Sequence, residues 1–92
     1  MVVRKHYIFT GRVQGVGFRY RSAWLARGSG LTGWVRNLSD GRVEMEIQGD
    51  EAVIEGVLAR LKGDSHIRID QIDSKDLPLV EKERKFQTKF TY

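Results

Sequence analysis

Residues 31–48 read LTGWVRNLSDGRVEMEIQ, and this stretch determines the fold. Its second half alternates apolar with polar residues, which is the period of a half-buried β-strand. The apolar positions of this strand are Val43, Met45 and Ile47. The Asp40-Gly41 pair that precedes it is a strong signal for a tight turn between two strands. We therefore predict strands over residues 31–37 and 42–48, joined as an antiparallel hairpin.

On the N-terminal side of this hairpin, the sequence predicts another strand and a helix. From residue 3 to residue 13 one parity is apolar, through Val3, Tyr7, Phe9 and Val13, whereas the other carries Arg4, His6, Thr10 and Arg12. This pattern is typical of a strand with one buried face. A glycine-rich stretch over residues 11–17 follows, and a helix is predicted to begin near Phe18. Its inner face would consist of Phe18, Ser22, Leu25 and Ser29.

On the C-terminal side, Asp50 offers an N-cap oxygen to a second helix that Gly63 can end. The apolar residues of this helix recur with helical spacing and are Ile54, Val57, Leu58 and Leu61. A fourth strand begins near Ile67, residues 73–84 form a polar segment, and a last strand carries Phe86, Thr88, Phe90 and Tyr92 on one face. The predicted order is β-α-β-β-α-β with a short C-terminal strand. This is an α+β, ferredoxin-like split βαβ arrangement, an antiparallel sheet with two helices on one face.

Length and composition exclude several classes of protein. The 92 residues suit one domain over 1–92, and a hydrophobic fraction of 40% suffices for a core. Cysteine is absent from the sequence, which excludes a thiolate nucleophile and a cysteine-based metal site. We expect no metal, no cofactor and no membrane span, and we expect a cytoplasmic monomer. The net charge of +4 suits an anionic partner.

The stretch GRVQGVGFR, residues 11–19, contains the residue types that bind an anion. Between a strand and a helix, backbone N–H groups can turn inward and form an anion-binding concavity. Gly15 and Gly17 permit the backbone angles that such a loop needs. Arg19, in the first helical turn, adds a planar donor that matches the oxygens of a phosphate. A tight turn with an exposed surface arginine explains the glycine spacing equally well, so the loop alone does not decide.

Asn37 ends the second predicted strand and has two interpretations. It can be a turn former that hydrogen-bonds to nearby backbone. It can also be a neutral amide that orients a water molecule through one accepted and one donated hydrogen bond. A site shared by Asn37 and the glycine-rich loop is consistent with the predicted topology.

Two motifs in this sequence resemble the signatures of the acylphosphatases. The first is Gly11-x-Val13-Gln14-Gly15-Val16-x-Phe18-Arg19. The second is Gly33-Trp34-Val35-Arg36-Asn37, three residues, Gly41-x-Val43, five residues and Gly49. Their separation and the aromatic C-terminal strand are also similar to that family, so the resemblance covers nearly the whole chain.

This resemblance implies hydrolysis of the carboxyl-phosphate anhydride bond in small acyl phosphates. It assigns phosphate binding to Arg19 and to the backbone of the loop formed by Gln14, Gly15, Val16, Gly17 and Phe18. It assigns positioning of the attacking water to Asn37. In this family no metal is required, and inorganic phosphate, the product, is expected to act as a competitive ligand. The resemblance leaves open which acyl phosphate is used.

Two other functions fit the predicted fold. An RNA-recognition module shares the βαββαβ order and a basic surface, but it needs exposed aromatic residues on its central strands. Here the outward positions of the third strand are Arg42, Glu44, Glu46 and Gln48, so we expect no nucleic-acid partner. An acylphosphatase-like domain retained only for binding is the second alternative. Activity on an acyl phosphate would separate it from the enzyme.

Overall fold

A computed structural model of the chain describes residues 1–90. The elements follow one another as β1 (Val2–Arg12), α1 (Phe18–Gly28), β2 (Thr32–Asn37), β3 (Val43–Asp50), α2 (Glu51–Lys62), β4 (Arg68–Leu77) and β5 (Phe86–Lys89). This order confirms the predicted α+β, ferredoxin-like arrangement with its additional C-terminal strand.

The strands form one sheet in the order β4-β1-β3-β2-β5. The pairs β1–β3, β1–β4 and β2–β3 are antiparallel, whereas β5 lies parallel to β2. The predicted antiparallel sheet is therefore formed by β1 to β4, and the short C-terminal strand β5 is added to it in the parallel direction. Because β5 runs parallel to β2, the C-terminal ends of the two strands lie side by side, and the end of β5 is therefore close to Asn37, where β2 ends.

The core lies between the sheet and the two helices. Alternate residues of the central strands and the apolar faces of both helices form one buried cluster, which includes Phe9, Phe18, Val43, Met45, Ile47, Ile54, Leu61 and Phe86. The hairpin β2–β3 forms as predicted, and the Asp50 carboxylate accepts a hydrogen bond from the backbone of Ala52 at the start of α2. The 2.0-residue pattern of β3 and the 3.6-residue pattern of α2 thus place their apolar side chains correctly.

Three local predictions were wrong for identifiable reasons. Strand β4 continues through residues 73–77, predicted as a polar segment, because this edge strand pairs with β1 on one side and needs few apolar residues. Ser29 is exposed and caps the end of α1 instead of lying on its buried face. Phe90 is 79% exposed and follows β5 instead of packing in the core. Tyr92, predicted on the same face, lies outside the described residues.

Arg4 is the largest departure from the predicted strand pattern. Its side chain was expected on the solvent-facing parity, yet the residue is only 3% exposed. Its guanidinium donates hydrogen bonds to Glu46 at 2.9 Å and to Glu83 at 2.8 Å. The segment after β4 therefore covers part of the outer face of the sheet, and this ion-pair cluster fastens it there.

This cluster makes the free energy of unfolding depend on pH. Burial opposes ionisation of Glu83, but hydrogen bonds from Arg4 and Thr32 and the charge of Arg4 outweigh it and lower the pKa of Glu83. A carboxyl whose pKa is lower in the folded state stabilises the fold above its unfolded-state pKa. That stabilisation is lost as the pH falls through the folded-state value.

The Glu83→Gln variant is accordingly expected to lose about 1–3 kcal/mol of stability at neutral pH. The difference from the wild type should shrink in acid, since the wild-type carboxyl is then protonated as well. Denaturant unfolding at pH 7 and at pH 3 measures both values. Glu81→Gln, an exposed glutamate two residues away, is the matched control and should leave the stability unchanged at both pH values. A constant difference across the pH range would contradict the role of the Glu83 charge.

Candidate active site

The loop between β1 and α1 depends on two glycines with left-handed backbone angles. Gly15 has φ 73° and Gly17 has φ 83°, a region that other residues adopt only with strain. A Cβ atom at either position would meet nothing within 4 Å, so the requirement is conformational and not one of space. Gly17 is also the N-cap residue of α1, and among the described residues no side chain hydrogen-bonds to the N–H groups at this end of the helix. The positive end of α1 is therefore available to a ligand.

A small cleft brings this loop together with Asn37. Its volume is about 170 Å³, and it is lined by Val13, Gly15, Gly17, Phe18, Arg19, Tyr20 and Asn37. The structure thus unites five of the seven residues that the sequence predicted for the site. Gln14 and Val16 are not among the lining residues within the described chain. Val16 packs against the hydrophobic core instead.

The end of β5 holds the Arg19 guanidinium. Arg19 Nη1 donates a hydrogen bond to the carbonyl oxygen of Lys89 at 3.2 Å. The guanidinium carbon also lies 5.1 Å from the ring centre of Phe90, within the range of a cation–π contact. The hydrogen bond to Lys89 uses one of the five N–H donors of the guanidinium, and other N–H donors remain for a ligand.

Gln14 ties the loop to the β2–β3 turn. Its side-chain Nε2 donates hydrogen bonds to the carbonyl oxygens of Leu38 at 2.6 Å and Arg42 at 2.9 Å. The turn that follows Asn37 is thereby fixed to the strand-to-helix loop. The family resemblance implied only a backbone role for Gln14. The side-chain partners lie more than 20 positions away, and the motif gives no signal of them.

Removing this tie is expected to loosen the cleft. We predict that Gln14→Ala lowers the free energy of unfolding by about 1–2 kcal/mol, since the two carbonyl groups lose a shared donor. We also predict a drop in turnover of about tenfold, because small displacements of reacting groups slow catalysis strongly. Denaturant unfolding and steady-state kinetics check both effects. Gln87→Ala, at an exposed glutamine of β5, is the matched control and should change neither quantity.

Other charged residues near the two motifs are engaged elsewhere. Asp40 accepts hydrogen bonds from the backbone and the side chain of Arg42, and these bonds hold the pKa of Asp40 below its usual value. It therefore acts as a turn residue, as the sequence suggested. Arg36 Nε lies 2.6 Å from a carboxylate oxygen of Glu44, which offsets its charge. Arg12 is exposed and lines a separate cleft with His66 and Arg68.

Neither a metal centre nor a membrane span is found in the described part of the chain. Residues 1–90 contain no group of three or more histidine, cysteine or acidic side chains that could hold a metal ion. Neither of the helices described has the length and apolar character needed to cross a bilayer.

Comparison with known proteins assigns the family. The acylphosphatase family model matches residues 5–88. An acylphosphatase of Clostridium perfringens is 42% identical over 88 residues, which are 95% of this chain and 99% of that protein. The crystal structure of acylphosphatase from Bacillus subtilis matches all of both chains with a TM-score of 0.85 and 32% identity. An acylphosphatase structure from Coxiella burnetii covers 96% of this chain and 93% of its own, with a TM-score of 0.84 and 29% identity.

The chain therefore belongs to the acylphosphatase family. The three acylphosphatases named above match it over nearly their whole length, so family membership extends to the enzyme class, a hydrolase of acyl phosphates.

Proposed function

We propose that Arg19 and the backbone of residues 14–18 bind the phosphate of a small acyl phosphate, while Asn37 positions the attacking water. The observation that carries this proposal is the cleft of about 170 Å³ that Arg19, the loop and Asn37 line together. An anion there meets an arginine, a loop with left-handed glycines and the N-terminus of α1, all of which favour phosphate.

Hydrolysis of an acyl phosphate suits this small set of residues. The leaving group is a carboxylate, which departs without help from a general acid. Phosphoryl transfer depends mainly on positioning and on stabilisation of charge around a loose transition state. Arg19 and the loop N–H groups supply the charge stabilisation, and Asn37 supplies the positioning.

The reaction is then a single displacement at phosphorus. The oxygen of the water bound to Asn37 forms a bond to phosphorus as the bond from phosphorus to the acyl oxygen breaks. The carboxylate leaves with the electron pair, and the proton of the water passes to an oxygen of the transferred phosphate. No side chain of the protein has to change its protonation state.

Several accompanying properties form part of the same proposal. The chain acts as one domain over residues 1–92, as a cytoplasmic monomer and without a cofactor. Its ligands are small acyl phosphates and inorganic phosphate, which competes with the substrate for the same loop. The two sides of the cleft, the 14–18 loop and Asn37, come from one chain, which supports an active monomer.

Hydrolysis of benzoyl phosphate in water enriched in oxygen-18, with a metal chelator present, tests this proposal. Turnover should continue in chelator, and the label should appear in inorganic phosphate and not in benzoate. Label in benzoate would mean attack at the carbonyl carbon, and the assigned geometry would be wrong. A folded protein that binds phosphate without turnover would instead indicate a domain retained for binding.

A further inference from the structure

Two aromatic residues beside the proposed phosphate cleft are exposed although neither serves the core. Tyr20 is 75% exposed and Trp24 is 59% exposed. Both lie on α1, four residues apart, so they share one side of the helix with a separation of about 6 Å along its axis. Aromatic surface of this size in water is costly and marks a place where a ligand can gain affinity.

A second cleft runs beside these two residues. It has a volume of about 540 Å³, and its lining includes Tyr20, Trp24, Arg27, Arg60 and Thr88. Tyr20 also lines the small phosphate cleft, so the two clefts adjoin at this residue. We call the part of the second cleft formed by Tyr20, Trp24 and Thr88 the acyl shelf.

The order of groups across the two clefts matches the order of groups in a substrate. Arg19 and Asn37 line the small cleft, Tyr20 lines both clefts, and Trp24, Arg27 and Arg60 line the larger one. A phosphate held at Arg19 would therefore have Tyr20 beside it, where the small cleft adjoins the larger one. Arg27 and Arg60 make the larger cleft attractive to an anionic molecule.

We propose that the acyl shelf binds the acyl group of the substrate and selects aromatic acyl phosphates over small aliphatic ones. The inference rests on the proposed function, since it needs the phosphate to occupy the cleft at Arg19. A one-ring acyl group reaches Tyr20, whereas a longer acyl group that carries a ring at its end also reaches Trp24. An acetyl group reaches neither side chain.

A series of substrates with increasing length tests the shelf. We would measure kcat/KM for acetyl, benzoyl and 3-phenylpropionyl phosphate with the wild type, Tyr20→Ala and Trp24→Ala. Tyr20→Ala should lower kcat/KM about fivefold to tenfold for both ring-bearing substrates, and Trp24→Ala should do so only for 3-phenylpropionyl phosphate. The loss should appear in KM. Trp24→Ala should leave kcat/KM for acetyl phosphate and inhibition by inorganic phosphate unchanged, because Trp24 does not line the phosphate cleft. Tyr20 lines both clefts, so Tyr20→Ala should cost less on acetyl phosphate than on the two ring-bearing substrates.

Two controls separate the shelf from indirect effects. Trp24→Phe keeps an aromatic ring and should retain most of the preference. Val53→Ala removes an exposed apolar side chain from α2, away from both clefts, and should leave all three substrates unaffected.

Several outcomes would overturn the shelf. If the two alanine variants lost kcat/KM equally on all three substrates, or lost none on any of them, the shelf would be overturned and the proposed function would stand. An unchanged substrate profile together with a change in sedimentation of Trp24→Ala would make this face a contact between copies of the chain. A wild type inactive on all three substrates would overturn the proposed function and, with it, the shelf.

Discussion

Replacing Arg19 by alanine is expected to lower kcat/KM for benzoyl phosphate by about 10²–10³-fold. Among the described residues that line the phosphate cleft, Arg19 carries the one cationic side chain. Its loss removes charge stabilisation both from the bound phosphate and from the transition state, so kcat should fall and inorganic phosphate should inhibit less strongly. Steady-state kinetics with phosphate as the competing ligand measures both effects.

Arg21→Ala is the matched control for this variant. Arg21 lies on the same helix, and its Nε pairs with Asp64 at 3.4 Å, outside the cleft. Its removal should leave turnover within about twofold of the wild type, because an exposed ion pair contributes little. Arg19→Lys keeps the charge but loses the planar two-pronged donor, and it should recover only part of the activity. Equal activity of Arg19→Ala and Arg21→Ala would exclude Arg19 as the phosphate-binding group.

Replacing Asn37 by alanine is expected to reduce kcat by about 10²-fold, with little change in KM. The amide would hold the water that attacks, so its loss affects the reacting geometry more than the binding of the phosphate. Inhibition by inorganic phosphate should therefore stay close to the wild-type value. This split between kcat and KM distinguishes Asn37 from Arg19, for which both should change.

Ser39→Ala and Asn37→Asp complete this comparison. Ser39 is exposed in the same turn, and its replacement should leave kcat unchanged. The aspartate variant keeps the shape of Asn37 but adds a negative charge and removes the N–H donors. It should lose turnover and also bind phosphate less well. Full activity of Asn37→Ala in a folded protein would return Asn37 to the role of a turn former.

The elements with a clear apolar period were predictable, because the spacing of their apolar residues alone indicates which side chains are buried. Val43, Met45 and Ile47 alternate with polar residues, and all three are fully buried. The Asp40-Gly41 turn and the Asp50 cap depend on neighbouring residues only, so the sequence identifies them directly. The extent of β4 and the direction of β5 depend on distant partners, and for this reason periodicity did not reveal them.

For the candidate site, the sequence predicted the residue types better than their contacts. Gly15 and Gly17 have the left-handed angles expected of them, and Arg19 and Asn37 line one cleft. The side-chain tie of Gln14 and the burial of Arg4 were missed, because each depends on groups far away in the chain. Such contacts follow from the strand order and cannot be derived from local spacing.

The strand order also determines when during synthesis the site can assemble. Strand β1 carries the loop, but its partners β3 and β4 are translated later, as are the carbonyl groups that accept from Gln14. The acceptor of Arg19 belongs to Lys89, near the end of the described chain. A growing polypeptide exposes β1 before its partners exist, and non-local pairing of this kind folds late. The contacts of Gln14 can therefore form only after the β2–β3 turn has been translated, and that of Arg19 only after Lys89 has been translated.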